Sequence, residues 1–240
     1  MMPELRYQLE QLVFWDKLTD EEKERVADYA VIRDYKKDSI LHAMEGDCLG
    51  LIVVLGGSVR AYMMSEEGRE ITLYHIREGE YDVLTASCIM YQVTFDTQMV
   101  LEEDSRILIV PTTVLAGLKQ NNVYVRSFIY EVLTQRFSDV MWTFQQIVFY
   151  GIDQRVAAYL LNHAEERQAG EQADIVHATH EQIAREINTA REVVARIIKR
   201  FAEDSLLETG RGTVTIKDQK GLRRITEDFL LNEQRTTEQK

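Results

Sequence analysis

The chain has 240 residues, 45% of them apolar, and a formal charge of -12. That length accommodates two domains of ordinary size, and the acidity argues against a general coat for nucleic acid or a protein spread over an anionic membrane surface. The charge is uneven, with 14 Lys and Arg against 24 Asp and Glu in residues 1–150 but 14 against 16 in residues 151–240, so a DNA contact through one local positive edge stays open. Two cysteines, Cys48 and Cys88, are too few for a secreted disulfide scaffold. The N-terminus is charged and amphipathic, unlike a signal peptide, and no apolar run reaches membrane length. These features together point to the cytoplasm.

In chain order, Glu4 to Val13 and Thr19 to Tyr29 read as short helices, the second opened by a Thr19–Glu22 capping box. The period then changes. Five runs follow: VIRDYKKDSILHAMEGD, CLGLIVVLGGSVRAYMM, REITLYHIREGEYDVL, YQVTFDTQMVLEED and SRILIVP. They are strand-like and broken by Gly, Asp and Glu turns. Leu51 to Leu55 is apolar throughout and reads as a central strand, and Ser65 to Gly68 as a hairpin turn. Many short antiparallel strands at this spacing suggest an N-terminal jelly roll, a double-stranded β-helix closed as a barrel, in an α+β chain. Pro111 ends the series and starts a short helix over Thr113 to Leu118.

Asn121 to Val148 reads as one long helix spanning roughly 40 Å. Tyr130, Leu133, Phe137, Val140, Phe144 and Ile147 recur along it at spacings of three and four. Such a stripe forms a dimer seam or packs on its own domain, and the length favours the seam. Gly151 to Asp153 reads as a hinge before a helix over Gln154 to Arg167. Thr179 to Gln182 then opens a short helix, Asn188 to Ala190 makes a turn, and Arg191 to Glu203 forms a second helix. Leu206 to Glu208, a turn at Thr209 to Gly212, and Thr213 to Ile216 read as a two-stranded wing. The expected domains are a sensor barrel over 1–120, a dimerisation helix over 121–150, a winged helix-turn-helix over 151–225 and a tail over 226–240.

The stretch THEQIAREINTAREVVARIIKRF resembles the helix-turn-helix of the Crp/Fnr family of transcription regulators, which includes the cyclic AMP receptor protein. GDCLGLIVVLGGSVRAYMMSEEGREITLYHIREGE resembles that family's glycine-punctuated sensor barrel, and the long helix falls where the family places its dimerisation helix. The resemblance covers the chain from about Tyr7 to Ile225. It implies a homodimer binding a palindromic site in double-stranded DNA, with RNA polymerase as a further partner and a small-molecule effector in the barrel. A second helix of this kind enters the major groove, offering its first turn and exposed face to base edges. Arg191 and Glu192 stand at the family's base-reading Arg-Glu pair: Arg holds guanine O6 and N7, and Glu accepts from cytosine N4. Arg196, one turn on, stands where the family has a base- or phosphate-contacting Arg. Thr179 matches the family's helix-start Thr, which caps the helix or bonds a phosphate. Lys199, Arg200 and Arg211 are candidates for phosphate neutralisation. The family often carries Gly where this chain has Asn188, a residue that tolerates the left-handed backbone better than most.

The sensor half departs from the cyclic-nucleotide members. Their phosphate-cradling Gly-Glu pair falls on Val83 and Leu84, and no later Arg supplies the phosphate clamp, which argues against cyclic AMP. Gly79–Glu80 reads as an ordinary earlier turn. Two cysteines cannot supply a four-cysteine iron–sulfur cluster within one chain, and the spacing of His42, His75, Cys48 and Cys88 supports no haem, so no cofactor is expected. An enzyme on a cupin-like barrel would need a converging His and carboxylate metal set that the sequence does not supply. Cys88, alone or with Cys48, is a candidate redox thiol if exposed and of low pKa, and otherwise a small apolar residue. A barrel that has lost sensing and only positions the DNA-binding heads is a further alternative.

Overall fold

The computed structural model describes residues 3–41, 49–83, 97–165 and 174–226. Contacts divide the chain into two units: Met1–Arg69 with Leu73–Met141, and Glu70–Thr72 with Trp142–Lys240.

The first unit opens with α1 (Pro3–Glu10) and α2 (Asp20–Tyr29). Thr19 caps α2 as expected: its hydroxyl accepts the Glu22 N–H, while the Glu22 carboxylate accepts the Thr19 N–H. Strands follow as β1 (Val31–Tyr35), β2 (Leu51–Gly56), β3 (Ser58–Met64), β4 (Glu70–Arg77, whose first three residues group with the second unit), β5 (Tyr81–Asp82), β6 (Gln98–Leu101) and β7 (Ser105–Val110). They form a four-stranded sheet in the order β1-β7-β2-β5 and a three-stranded sheet in the order β4-β3-β6. The full apolarity of β2 has a direct cause, because side chains alternate across a strand and both faces of this one are covered. Ile52 and Val54 join Ile107 and Ile109 of β7 in a core shared with Val59, Ala61, Ile76, Met99 and Leu101 of the other sheet. Leu51 and Val53 join Leu108 and Val110 on the opposite face, against α1, α2 and the helices after β7.

The sheets are not closed into the jelly-roll barrel that the strand count suggests. Among the described residues they are two separate layers, each with its own edge strands. The ladder breaks at a bend. The β2–β7 register shifts between Val54 and Gly56, and Gly57 turns at φ +89° hard against Ser105. The chain thereby leaves one sheet at β2 and enters the other at β3, with Glu102–Asp104 making the matching step between β6 and β7. A two-residue β5 then ends one sheet, and among the described residues no ladder carries on around to the other. The β3–β4 hairpin lies at Ser65 to Gly68 as read, with Gly68 at φ +80° and its N–H on the Ser65 carbonyl.

Pro111 precedes α3 (Thr112–Asn121), and α4 (Val123–Phe149) follows after a single-residue break. Asn122 makes that break. Its side-chain oxygen accepts the N–H groups of Tyr124 and Val125, capping α4 from outside. The first half of α4 buries Val125, Phe128, Ile129 and Val132 in the helical core of its unit.

The second unit contains α5 (Ile152–Glu165), β8 (Ile175–Val176), α6 (His180–Glu186), α7 (Arg191–Glu203), β9 (Leu207–Gly210), β10 (Thr213–Ile216) and α8 (Gln219–Ile225). One core unites them, with Val156 and Leu160 from α5, Ile183 from α6, and Val194, Ile198 and Phe201 from α7. Leu207 and Val214 of the wing and Leu222 of α8 complete it. The wing sheet has three strands, not two, in the order β8-β10-β9. Among the described residues no helix is long and apolar enough to cross a membrane.

Candidate nucleic-acid interface

The helix-turn-helix is built from local hydrogen bonds. Thr179 caps α6 in a full capping box: its hydroxyl accepts the Gln182 N–H at 3.2 Å and the Gln182 side-chain oxygen accepts the Thr179 N–H at 2.8 Å. Of the two roles expected for that hydroxyl, the structure shows the cap. At the other end Asn188 stands at φ +55°. Its N–H bonds the Arg185 carbonyl and the Thr189 N–H bonds the Ala184 carbonyl. This is the pair of bonds of a Schellman end, with Asn in the place Gly usually takes. The chain leaves α6 sharply there and enters α7 three residues later.

On α7 the apolar residues Val194, Ile197, Ile198 and Phe201 are buried. Arg191, Glu192, Arg196, Lys199 and Arg200 are exposed. On an ideal helix Glu192, Arg196 and Lys199 fall within about 60° of one another, opposite the buried face, and Arg191 lies in the first turn about 80° to the side of that group. All five α7 residues singled out from the sequence are exposed, but Arg191 and Arg200, nine residues apart, lie on opposite flanks of the helix. The five differ in what they touch. Lys199 approaches Glu203 at 3.8 Å, and Arg200 pairs with Asp153 at 3.3 Å. Among the described residues Arg191, Glu192 and Arg196 take part in no salt bridge. Ala190 gives α7 no side-chain cap. Arg211 is exposed in the turn between β9 and β10, away from the α7 sequence but in the same unit.

Along α4, Tyr130, Phe137 and Phe144 are 58%, 66% and 55% exposed, and Ile147 is exposed less. Leu133 and Val140 are half-buried, Leu133 against the helical core and Val140 against the core between the sheets. Met141 and Val148, which the stripe of threes and fours passed over, are exposed. They fall on the same side of the helix as Tyr130, Phe137 and Phe144.

Two arginines escaped the sequence reading. Arg155 on α5 is buried and donates to the Ile187 carbonyl at 2.6 Å. Burial holds its guanidinium below the usual arginine range. Arg136 on α4 is buried in the first unit. It bonds Asp139 at 2.9 Å and the Tyr81 carbonyl at 2.7 Å, and lies 3.5 Å from both Asp82 and Glu80. Its guanidinium also sits over the Tyr74 ring, whose hydroxyl donates to the fully buried Asp82 at 3.2 Å. Burial, and then the Asp82 charge, push the Tyr74 hydroxyl well above its usual range. The only signal for either arginine is a cation among apolar residues at helical spacing, which many solvated helices share.

In the sensor half, Gly79 turns at φ +83° and the Glu80 carboxylate accepts the Arg77 N–H, so Gly79–Glu80 is the ordinary turn expected. Val83 is buried. Leu84, His42, Cys48 and Cys88 lie outside the described residues. His75 bonds Glu102 at 2.9 Å.

Residues 154–225 match the model of the Crp-like helix-turn-helix domain. Among solved structures, one described as a transcriptional regulator of the Crp/Fnr family from Eubacterium rectale is 33% identical. The match covers 90% of this chain and 98% of that one, with a TM-score of 0.80. The transcriptional regulator SdrP of Thermus thermophilus is 26% identical over 183 residues, which is 72% of this chain and 82% of SdrP. The cAMP-activated global transcriptional regulator CRP of Haemophilus influenzae is 22% identical over 191 residues, covering 75% of this chain and 80% of that one. With a third of its residues shared along nearly the whole length of such a regulator, and the DNA-binding motif matched from α5 to α8, this chain belongs to the Crp/Fnr family of DNA-binding transcription regulators.

Proposed function

We propose that the chain acts as a homodimer that reads a palindromic DNA sequence, each protomer laying α7 in a major groove. Arg191, Glu192 and Arg196 meet base edges, and Arg211, Lys199 and Arg200 neutralise phosphates. The observation that carries this reading is the division of α7 into a buried apolar face and an exposed face whose Arg191, Glu192 and Arg196 enter no salt bridge among the described residues. Guanidinium and carboxylate groups presented in this way suit guanine and cytosine edges, whereas Lys199 and Arg200 have carboxylates nearby and suit the less demanding phosphate contact. In this reading residues 1–120 form the sensing region, 121–150 the dimer helix and 151–225 the DNA-binding domain.

The exposed apolar side of α4 supports the dimer. Tyr130, Phe137 and Phe144 repeat every seven residues, and Met141 and Val148 repeat at the same interval beside them. That is the periodicity of a two-helix seam, with Ile147 at its flank and Leu133 and Val140 turned toward their own cores. RNA polymerase is the further partner. The effector is a small molecule other than cyclic AMP. Buried Val83 in place of a phosphate-cradling glycine supports that choice.

Enrichment of duplexes from a random pool tests the reading. The wild-type protein should select a two-fold symmetric sequence, and Arg191→Ala should bind it with a loss of about 1–3 kcal/mol. Binding to a scrambled duplex should barely change. Equal losses on both duplexes, or selection of no symmetric sequence, would refute base reading by α7.

A further inference from the structure

The carbonyl of Ile187 at the helix-turn-helix corner is not taken up by the hydrogen bonds of the turn itself. Ile183 accepts the Ile187 N–H, Ala184 accepts that of Thr189, and Arg185 accepts that of Asn188. The Ile187 carbonyl points instead to Arg155, whose guanidinium reaches it from α5 at 2.6 Å. Arg155 is only 8% exposed, and its Nε atom, also buried, has no hydrogen-bond partner. A buried arginine is costly to hold unless its donors are used. Here its short bond ends on the residue directly before the left-handed Asn188.

We propose that Arg155 is a positioning residue for DNA recognition: it fixes the corner between α6 and α7 to α5 and thereby sets the angle at which α7 presents Arg191 and Arg196. Three observations meet in this assignment. The corner carries a left-handed non-glycine residue, so its geometry depends on being held. The α5 residues next to Arg155, Val156 and Ala157, are fully buried in the core of the unit, which makes α5 a rigid base for the arginine. Farther along α7, Arg200 pairs with Asp153 of the same first turn of α5. The helix α7 is tied to α5 near its far end by an exposed ion pair, and the corner before it is tied to α5 by the buried Arg155 bond. Thr72 of the same unit also holds the corner: its N–H and carbonyl pair with the Asn188 side-chain amide, and its hydroxyl donates to the Arg185 carbonyl. Losing the Arg155 bond frees the corner from α5, so that only the Thr72 bonds and the ion pair farther along α7 still orient it. Specific binding needs several base contacts made together, whereas binding to random DNA needs only phosphates, so a loosened α7 loses the first and keeps the second.

The inference rests on the reading that α7 contacts base edges. It is tested with the full-length chain, a duplex selected by the wild-type protein, and a scrambled duplex at fixed salt. Arg155→Met should lower the ratio of specific to scrambled affinity by about tenfold, which is 1.4 kcal/mol of discrimination. Its affinity for the scrambled duplex should stay close to wild type. Arg155→Lys, which can still donate to the carbonyl, should fall between. If Arg155→Met does not fold, Arg155→Lys decides: a lowered ratio supports the assignment and an unchanged one overturns it. A purely structural role would lower the unfolding temperature while leaving the ratio intact, and that result overturns the proposal as well. Arg191→Ala, measured alongside, separates the two levels. If it leaves the ratio unchanged, base reading by α7 is wrong. If it lowers the ratio while Arg155→Met does not, only the positioning role of Arg155 is wrong.

Discussion

Replacing Phe137 with alanine isolates the contribution of the α4 seam to dimer formation. The side chain is 66% exposed, so little of it packs within its own protomer. Burying a whole phenylalanine side chain stabilises by up to about 3 kcal/mol, and two-thirds of that is about 2 kcal/mol per protomer. A two-fold interface repeats every contact, which doubles the loss to about 4 kcal/mol. At 1.4 kcal/mol per factor of ten, the dimer dissociation constant should rise by roughly a thousandfold. Sedimentation velocity over a wide concentration range reads this directly, and circular dichroism establishes that the variant folds. Leu133→Ala is the matched control. Leu133 packs against the core of its own unit, so its loss should lower the unfolding midpoint and leave the dissociation constant largely unchanged. A Phe137→Ala protein that dimerises like the wild type would refute the placement of the seam.

Arg136→Met should destabilise the fold by about 3–5 kcal/mol in urea titration, because it strands the fully buried Asp82 carboxylate without its cation. Adding Asp82→Asn should recover part of that loss, and a double variant no more stable than the single one would refute the pairing. Stability should also fall at high pH. The Tyr74 hydroxyl is raised above its unfolded value of about 10, so the folded state holds that proton more tightly. Its contribution is fully present below pH 10 and is lost as pH rises through the higher folded value. Thermal unfolding across that range should show a falling limb that Tyr74→Phe flattens; an unchanged limb would exclude Tyr74 as its source.

Much of the DNA-binding half was legible because its signals are local. Thr179 with Gln182, the apolar spacing of Val194, Ile197, Ile198 and Phe201, and the turn at Asn188 all lie within a few residues of what they control. Strand β8 was missed because two residues carry no periodicity. The sequence across Asn122 reads as helix because its cap acts forward, inside a continuous polar stretch. Barrel closure was not legible, since it depends on whether a ladder runs from one sheet to the other, a pairing between strands far apart in sequence. Arg155 and Arg136 gain meaning only from partners 32 and 55 residues away. The α4 stripe was found, but spacing alone could not tell Leu133 and Val140, which face home, from Met141 and Val148, which face out.

Strand β2 is greasy on its two sides alike, and this has a cost in information. An alternating strand announces its alignment, because sliding by one position would turn its apolar residues to water. Leu51 to Val54 would remain as well buried after such a slip, so burial cannot choose among alignments. The choice must fall to the kink at its end, where the Val54–Gly56 irregularity and the positive φ of Gly57 fit only one place along β7. Two small residues with no side chain to bury thus act as the index mark for a strand that carries none of its own.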